Sequence, residues 1–528
     1  MKRSILTLSL LSVFAVSSCQ KDFDEVTPRG DDQRAEVNGV TPAAPSLLST
    51  EGAEAGVLYM RIQKSAKPSL RAFDSGAASM QALPSQLARS LQSIGSETME
   101  PLFPIDPRFE KRMRREGLDL WYIVRFDKKQ DLRSAMQTLL ATPEVEYTEP
   151  VYQLALPDAK PVAVSDARRT DEPAAPFNDP LLPDQWHYNN TGKFARSIAG
   201  ADIGLFEAWK TETGKRNVIV AITDGGIDTK HPDLKDNLYI NEKELNGQEG
   251  VDDDGNGLID DIYGFNFIHS NGKIYPDDVS HGTHVAGTVA ARNNNGIGVG
   301  GIAGGDGTPN SGIRLMSAQI FGGKNENGNS TRALIYSANN GAVISQNSWG
   351  YRYEAQITTL PQSLKAAIDY FIKYAGCDND GNQLPNSPMK GGVVIFAAGN
   401  DGREYNSLPA AYEPVVAVAS MAPDWKSAWY SNRGLWVDIT APGGDQYYAQ
   451  GEVLSTLSKS ITGQEYGYMQ GTSMACPHVS GVAALIVSHF GKKGFTNTEC
   501  KQRLLGALKP QNIDALTGFK GRMGRGYI

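Results

Sequence analysis

The stretch GTSMACPHVSG, residues 471–481, joins a loop to a helix. Its first residues are small and polar. It then runs into Val482-Ala483-Ala484-Leu485-Ile486, an apolar segment built for burial. Ser473 stands at the junction and Pro477 follows four residues later. Proline is tolerated just inside a helix because first-turn N–H groups have no intrahelical partner to lose. The same free N–H groups, at the positive end of the helix dipole, favour negative charge developing beside Ser473. A serine in this position is either an ordinary cap or a nucleophile on a rigid mount. The rest of the chain decides between the two.

Beyond Phe177, apolar runs alternate with helical stretches. The strand candidates are residues 218–223, 313–320, 342–346, 393–397 and 415–419. Unbroken apolar strands separated by helices predict a parallel sheet covered on both faces, with ligands at the carboxyl ends of its strands. NVIVAITDGGID places Asp224 directly after one such strand, and SHGTHVAGTVAA places His281 at the start of a small-residue helix. GVVIFAAGN ends another strand at Asn400. Together with Ser473 this is Asp, His, Ser in chain order, each in a glycine-bracketed setting.

These motifs resemble those of the subtilisin-like serine proteases, the subtilases, over roughly residues 177–510. The resemblance implies an α/β, subtilisin-like three-layer fold with a mostly parallel central sheet, preceded by a small α+β prodomain. It also implies roles. A serine hydroxyl attacks a carbonyl only when a base takes its proton, and His281 is that base. Asp224 fixes the imidazole tautomer, while the Asn400 amide and the Ser473 backbone N–H hold the oxyanion. Ser348, Trp349 and Gly350 of the NSWG motif match the strand that pairs with substrate, and Phe321-Gly322-Gly323 matches the opposite wall. Ser348 to Gly350 and Ala397, Ala398 and Gly399 would border the pocket for the residue before the cut bond, with Asp401 and Ser407 at its rim or base. Main-chain pairing of this kind tolerates many side chains. His284 and His478 read as packed helix residues and Cys476 as a small core residue. The spacing of His281 and His284 lacks the glutamate of a zinc-peptidase motif.

No catalytic cofactor is implied, but structural calcium is. Asp179, Asp233 and Asn295 match a calcium site of many subtilases. Separately, VDDDGNGLIDD gives Asp252, Asp254 and Asn256 at alternate positions before Gly257, like the first half of an EF-hand loop. Tyr263 stands where that loop needs its glutamate, leaving Asp260 or Asp261 as the substitute; a solvated acidic turn is the alternative.

The N-terminus, MKRSILTLSLLSVFAVSSC, sets Lys2 and Arg3 before an apolar run too short to span a bilayer. Val16-Ser17-Ser18-Cys19 resembles a bacterial lipoprotein box with Cys19 lipidated; an ordinary cleaved signal peptide is the alternative. The expected organisation is a signal peptide at 1–19, a tether at 20–50, an inhibitor-like prodomain at 51–156, a processing linker at 157–176 and the catalytic domain at 177–528. Within the prodomain, 56–63 and 120–127 read as strands, a helix runs from an N-cap at Asp131 to Leu140, and 144–156 is extended. That extended end would lie in the cleft as a bound product. The linker carries a dibasic pair, Arg168-Arg169.

A chain of 528 residues expects two or more domains. Lys and Arg number 51 against 59 Asp and Glu, a net charge of -8 with no basic face, so nucleic acid is not an expected partner. The expected partners are polypeptide substrates and the chain's own prodomain as intramolecular inhibitor, with the membrane reached only through a lipid on Cys19. Of the four cysteines, Cys377 and Cys500 are one possible pair beside Cys19 and Cys476. The function expected is that of an exported serine endopeptidase made as a zymogen, lipid-anchored to a bacterial cell envelope or released on maturation. No adhesion or sorting domain is expected after the catalytic helix. A transpeptidase or macrocyclase on the same site, or a catalytically silent surface binding protein, are the alternatives.

Overall fold

The prodomain strands show plainly how alternation sets the architecture. β1 (Ala53–Ile62) buries Leu58, Met60 and Ile62 on one face and carries Val57 and Tyr59 on the other. It is central in a four-stranded antiparallel sheet with β2 (Ser96–Pro101), β3 (Trp121–Phe126) and β4 (Val145–Tyr152), in the order β2-β3-β1-β4. Beside a helix at Lys67–Asp74, it is accompanied by α1 (Ser85–Ser93), α2 (Glu110–Arg115) and α3 (Leu132–Leu140). Asp131 caps α3 by accepting from the Ser134 N–H at 2.8 Å. Leu87, Leu91, Met136 and Leu139 close one face of the sheet. The other face, with Val57, Trp121 and Ile123, belongs to the same apolar core as the helices of the catalytic domain. One strand period thus builds two interfaces, one internal and one between domains. The computed structural model describes residues 47–74, 83–156, 160–164, 175–194, 196–323 and 326–528. Cys19, the signal segment, most of the tether and the Arg168-Arg169 pair lie outside the described residues.

After β4 the chain makes two short strands, β5 (Leu154–Ala155) and β6 (Val162–Ala163), and then enters the catalytic domain. Its strands are β7 (Ile219–Gly225), β8 (Gly264–Asn266), β9 (Arg314–Phe321), β10 (Ile344–Asn347), β11 (Gly350–Tyr351), β12 (Val393–Ala397), β13 (Val416–Met421), β14 (Ile439–Pro442), β15 (Val453–Thr456) and β16 (Tyr466–Met469). Seven of them form one sheet, β14-β13-β12-β10-β7-β9-β8, with parallel pairing throughout. Helices α4 (His281–Ala290) and α7 (Thr472–Phe490) cover one face, against Val220, Ile222, Ile344 and Ile395. Helices α5 (Ser330–Asn339) and α6 (Gln362–Tyr374) cover the other, against Ile219, Ala221, Val394 and Phe396. The fold is therefore the expected α/β three-layer sandwich with a prodomain in front.

Short strands were invisible to periodicity. β8 spans three residues and β14 four, and the latter ends in Pro442, too little sequence for any pattern to register. The possible Cys377–Cys500 pair does not form: Cys377, Cys476 and Cys500 are buried free thiols. Burial raises each thiol, Cys500 to about 12, so these are inert core residues. Reductant should accordingly leave the melting temperature unchanged, and all three thiols should react with a thiol reagent only after denaturation. A shift in melting temperature on reduction would show a bridge instead.

Candidate active site

Asp224 ends β7 and His281 opens α4, and their close approach is made by glycines. A Cβ on Gly282 would stand 2.1 Å from the Gly225 carbonyl oxygen, and one on Gly225 would stand 1.9 Å from Asp277 Oδ2. No side chain fits at either position, which is why DGG and HG recur at the two ends. The result is a fully buried pair: His281 Nδ1–H donates to Asp224 Oδ1 at 2.7 Å. Burial raises the Asp224 carboxyl, against the pull of His281. For His281, burial lowers the imidazole but the Asp224 carboxylate outweighs it, with Asp277 adding to the field, so the ring sits above its ordinary value.

Asp277 is a residue that sequence reading missed. Its carboxylate accepts from the N–H groups of Val279, His281 and Gly282, satisfying the free donors at the start of α4. Ser280, in the left-handed region at φ 63°, turns the chain into the helix. An acidic residue four positions before a helix-opening histidine was the available clue.

Ser473 lies in the first turn of α7, 1% exposed, and its Oγ–H donates to the Ser348 carbonyl at 3.2 Å. His281 Nε2 is buried and, among the described residues, has no hydrogen-bond partner. Asn400 is held by Thr472, whose N–H and Oγ1–H both donate to its Oδ1, at 2.9 and 2.8 Å. That fixes which way the amide points. A Cβ on Gly471 would stand 3.2 Å from Asn400 Nδ2 and 3.5 Å from Ser473 N. Two N–H donors flank the space above Gly471, which at φ 152° has a backbone conformation that favours glycine. Thr472 was likewise not singled out from sequence.

The expected substrate strand is occupied by the chain itself. β5 pairs antiparallel with β11, Ala155 opposite Gly350 and Leu154 opposite Tyr351. Ala155 and Leu156 line a cavity of about 440 Å³ together with Ser348, Trp349, Gly350, Ala397, Gly399, Asn400, Asp401, Ser407 and Ser473. Ala398 is buried beneath it. The Trp349 ring is buried and packs edge-on to Phe396. Phe321 is buried at the end of β9, and Gly322 and Gly323 turn back onto Glu326. The contact from that wall comes instead from Asn327, whose Nδ2 donates to the Leu154 carbonyl at 3.1 Å. Further on, β6 adds to β16, the strand leading into Ser473.

Asp179, Asp233 and Asn295 do come together. Asp179 accepts from the N–H groups of Asn294 and Asn295, and Asp233 accepts from Asn295 Nδ2 and the Val299 N–H. Burial raises both acids, Asp233 to about 7. Two buried carboxylates with an amide between them form an oxygen-rich set suited to a hard cation. In the second loop Asp252 and Asp254 gather with Glu244, a ligand type missed from sequence, within 4.8 Å of one another. Asp260 faces away, accepting from the Gly250 N–H, because a left-handed backbone at φ 56° turns it outward. Asn256 donates to Asp261, and Asp261 also accepts from Tyr336 and Asn241. Neither of the two proposed substitutes for the EF-hand glutamate lies in the carboxylate cluster; Glu244, from the preceding helix, takes that place.

Residues 215–525 match the subtilase family profile, and residues 75–192 match that of the N-terminal domain of the same family. Subtilisin-like protease 1 of Plasmodium berghei (strain Anka) is 31% identical over 278 residues, covering 51% of this chain and 42% of that relative. Thermophilic serine proteinase of Bacillus sp. (strain AK1) is 33% identical over 311 residues, covering 59% and 60%. The chain thus spans only about half the length of these relatives. Fervidolysin from Fervidobacterium pennivorans, described as a keratinolytic enzyme related to subtilisin, shares the fold at a TM-score of 0.53 and 20% identity, over 84% of this chain and 56% of its own. The chain belongs to the subtilase family.

Calcium should raise the melting temperature of the chelator-treated protein. Asp233→Asn should remove one part of that gain and Asp252→Asn another; if both variants keep the full gain, neither cluster holds the ion.

Proposed function

We propose that this chain is an exported serine endopeptidase made as a zymogen, with Ser473 as nucleophile. The observation that carries it is the convergence of Asn400 Nδ2 and Ser473 N on one open space beside the serine. A tetrahedral oxyanion needs such preorganised donors. Rotation of the Ser473 side chain away from the Ser348 carbonyl would offer its proton to His281 Nε2, the buried nitrogen left without a partner. Asp224 then stabilises the imidazolium that forms, and the same proton passes to the leaving amine. Water completes the cycle by hydrolysing the acyl-enzyme. β5 against β11 supports the prodomain as inhibitor, since it occupies the strand position a substrate would take. Structural calcium held by Asp179, Asp233 and Asn295, and by Glu244, Asp252 and Asp254, would pin loops around the sheet, supplying charge neutralisation and no chemical step. Export and anchoring through a lipid on Cys19 rest on the N-terminal sequence alone; Cys19→Ala should release the protein from the envelope fraction.

The test is intact mass with a fluorophosphonate probe on the full chain. Wild type should lose its N-terminal part, cut between Ala155 and Val162 where the chain passes from β11 to β16, and should label. Ser473→Ala should stay whole and unlabelled. Asn400→Ala should lower kcat by about 10²–10³-fold, the range for removing one such donor. A folded wild type freed of its prodomain, with calcium present, that refuses the probe would overturn the reading.

The first cut should also slow in acid. A base works only when unprotonated, and His281 is held above its ordinary value of about 6.5. Its loss of activity should therefore be half complete at a pH above 6.5, read from the rate of mass loss. A midpoint below that value would show that the Asp224 pairing does not govern the imidazole in the zymogen.

A further inference from the structure

Arg112, on helix α2 of the prodomain, is the largest completely buried charged side chain among the described residues. Its guanidinium leaves the prodomain and enters the catalytic domain where two helices end. Nη2 donates to Asn339 Oδ1, the last residue of α5, at 2.6 Å. Nε donates to the Tyr370 hydroxyl at 2.7 Å. Nη1 donates to the carbonyls of Tyr374, the last residue of α6, at 3.3 Å, and of Cys377. The Arg112 backbone N–H donates to Asn379 Oδ1 at 3.2 Å. Phe109 of the prodomain lies over the guanidinium plane at 3.7 Å, and the rings of Tyr370 and Tyr374 stand 5.3 and 5.5 Å away.

None of these acceptors is a carboxylate. The buried cation is balanced by carbonyl and amide dipoles at the negative ends of α5 and α6, together with aromatic faces. Five fixed N–H donors on a planar fork suit such a ring of acceptors, and a lysine ammonium does not. The socket shares no residue with the catalytic set or with the cavity that holds Leu156. Its rim is complementary too: Arg108 of the prodomain donates to Asn340 and Asp254, and Arg115 donates to the Tyr374 hydroxyl and the Asn379 carbonyl.

We propose that this socket is a guanidinium exosite through which the prodomain stays bound after the connecting chain is cut, with Arg112 setting how long it stays. The proposal rests on the zymogen reading and adds a second anchor to the strand in the cleft. The two-residue ladder and the apolar sheet face supply area, whereas a fully buried arginine with a complete set of acceptors is the usual form of a dominant contact. Once the prodomain departs, the carbonyls of Tyr374 and Cys377 and the Asn339 amide face solvent, and the same socket is available to the prodomain again.

The experiment uses the Ser473→Ala chain with a recognition sequence for an added protease inserted between Arg168 and Arg169, cut to completion and checked by mass. Dissociation after dilution is followed by size exclusion over time. Arg112→Ala should speed dissociation about 100-fold, as expected of a buried arginine anchor. Arg112→Lys should recover only a small part, because the charge returns without the fork. Asn339→Asp should slow dissociation when Arg112 is present and not in the Arg112→Ala background. Dissociation of Arg112→Ala within threefold of the parent would overturn the proposal, as would an Asn339→Asp effect that is independent of Arg112. Should Arg112→Ala fail to fold, Tyr370→Phe, which removes one acceptor, decides: about tenfold faster release supports the exosite and no change overturns it. Because the nucleophile is absent throughout, these outcomes are separate from the probe test of peptidase activity.

Discussion

A carboxylate held wholly out of water is the constraint around which the catalytic domain is arranged. Asp224 has no exposure, and leaving such a charge unpaired would cost several kcal/mol. His281 has to reach it at hydrogen-bond distance, which requires the start of α4 to press against the end of β7. Glycine at 282 lets the two backbones meet, glycine at 225 leaves room for the Asp277 carboxylate, and Asp277 satisfies the donors at the head of α4. The parallel sheet brings the other parts to the same edge. Asn400 follows β12, Ser348 follows β10, and the turn into α7 supplies Ser473. Each lies just past the carboxyl end of a strand or at the head of a helix, where backbone groups are free to bond something else.

The site was more legible in the sequence than the scaffold was. Glycine next to a chemical residue is a local mark, and DGGID, HGTH and GTSM each carry one. The central strands were also readable, since five buried apolar runs announce a doubly covered sheet. What was not readable depended on partners far away in the chain. Asp277, Thr472, Glu244 and Asn327 are ordinary residues until folding brings them to His281, Asn400, Asp252 and Leu154. Asp260 shows the converse error. Its spacing fitted a loop ligand, but a positive φ turned it to a neighbouring N–H, and spacing carries no information about that angle.

The prodomain holds the catalytic domain through the elements that secondary structure always leaves unsatisfied. Its β5 adds to the strand edge at β11, and β6 of the linker adds to β16. Glu149, fully buried and raised by that burial to about 7, accepts from the Gln362 and Ser363 N–H groups at the head of α6, where Pro361 offers no cap of its own. Arg112 takes the carbonyls at the other end of the same helix. Thirteen residues at ~1.5 Å each separate an anion at the positive end from a cation at the negative end. The two charges thus match the polarity of one helix, and reversing either would set it against the dipole.

Half of the buried side-chain polar atoms without hydrogen bonds among the described residues lie at one edge of the sheet, the others being on Glu144, His187, His284 and Gln511. Among the described residues, Asp224 Oδ2, His281 Nε2, Asn347 Oδ1 and Trp349 Nε1 are buried without a hydrogen bond. All belong to the ends of β7 and β10, or follow them, or open α4. A buried polar atom left unpaired costs free energy that a stable scaffold avoids, so its persistence at the catalytic edge calls for a compensating role. On the proposed function His281 Nε2 has one, since that nitrogen takes the Ser473 proton and has to be left free of another donor. The prodomain meets the same side of the molecule, with β5 paired to β11 and Glu149 capping α6 behind it.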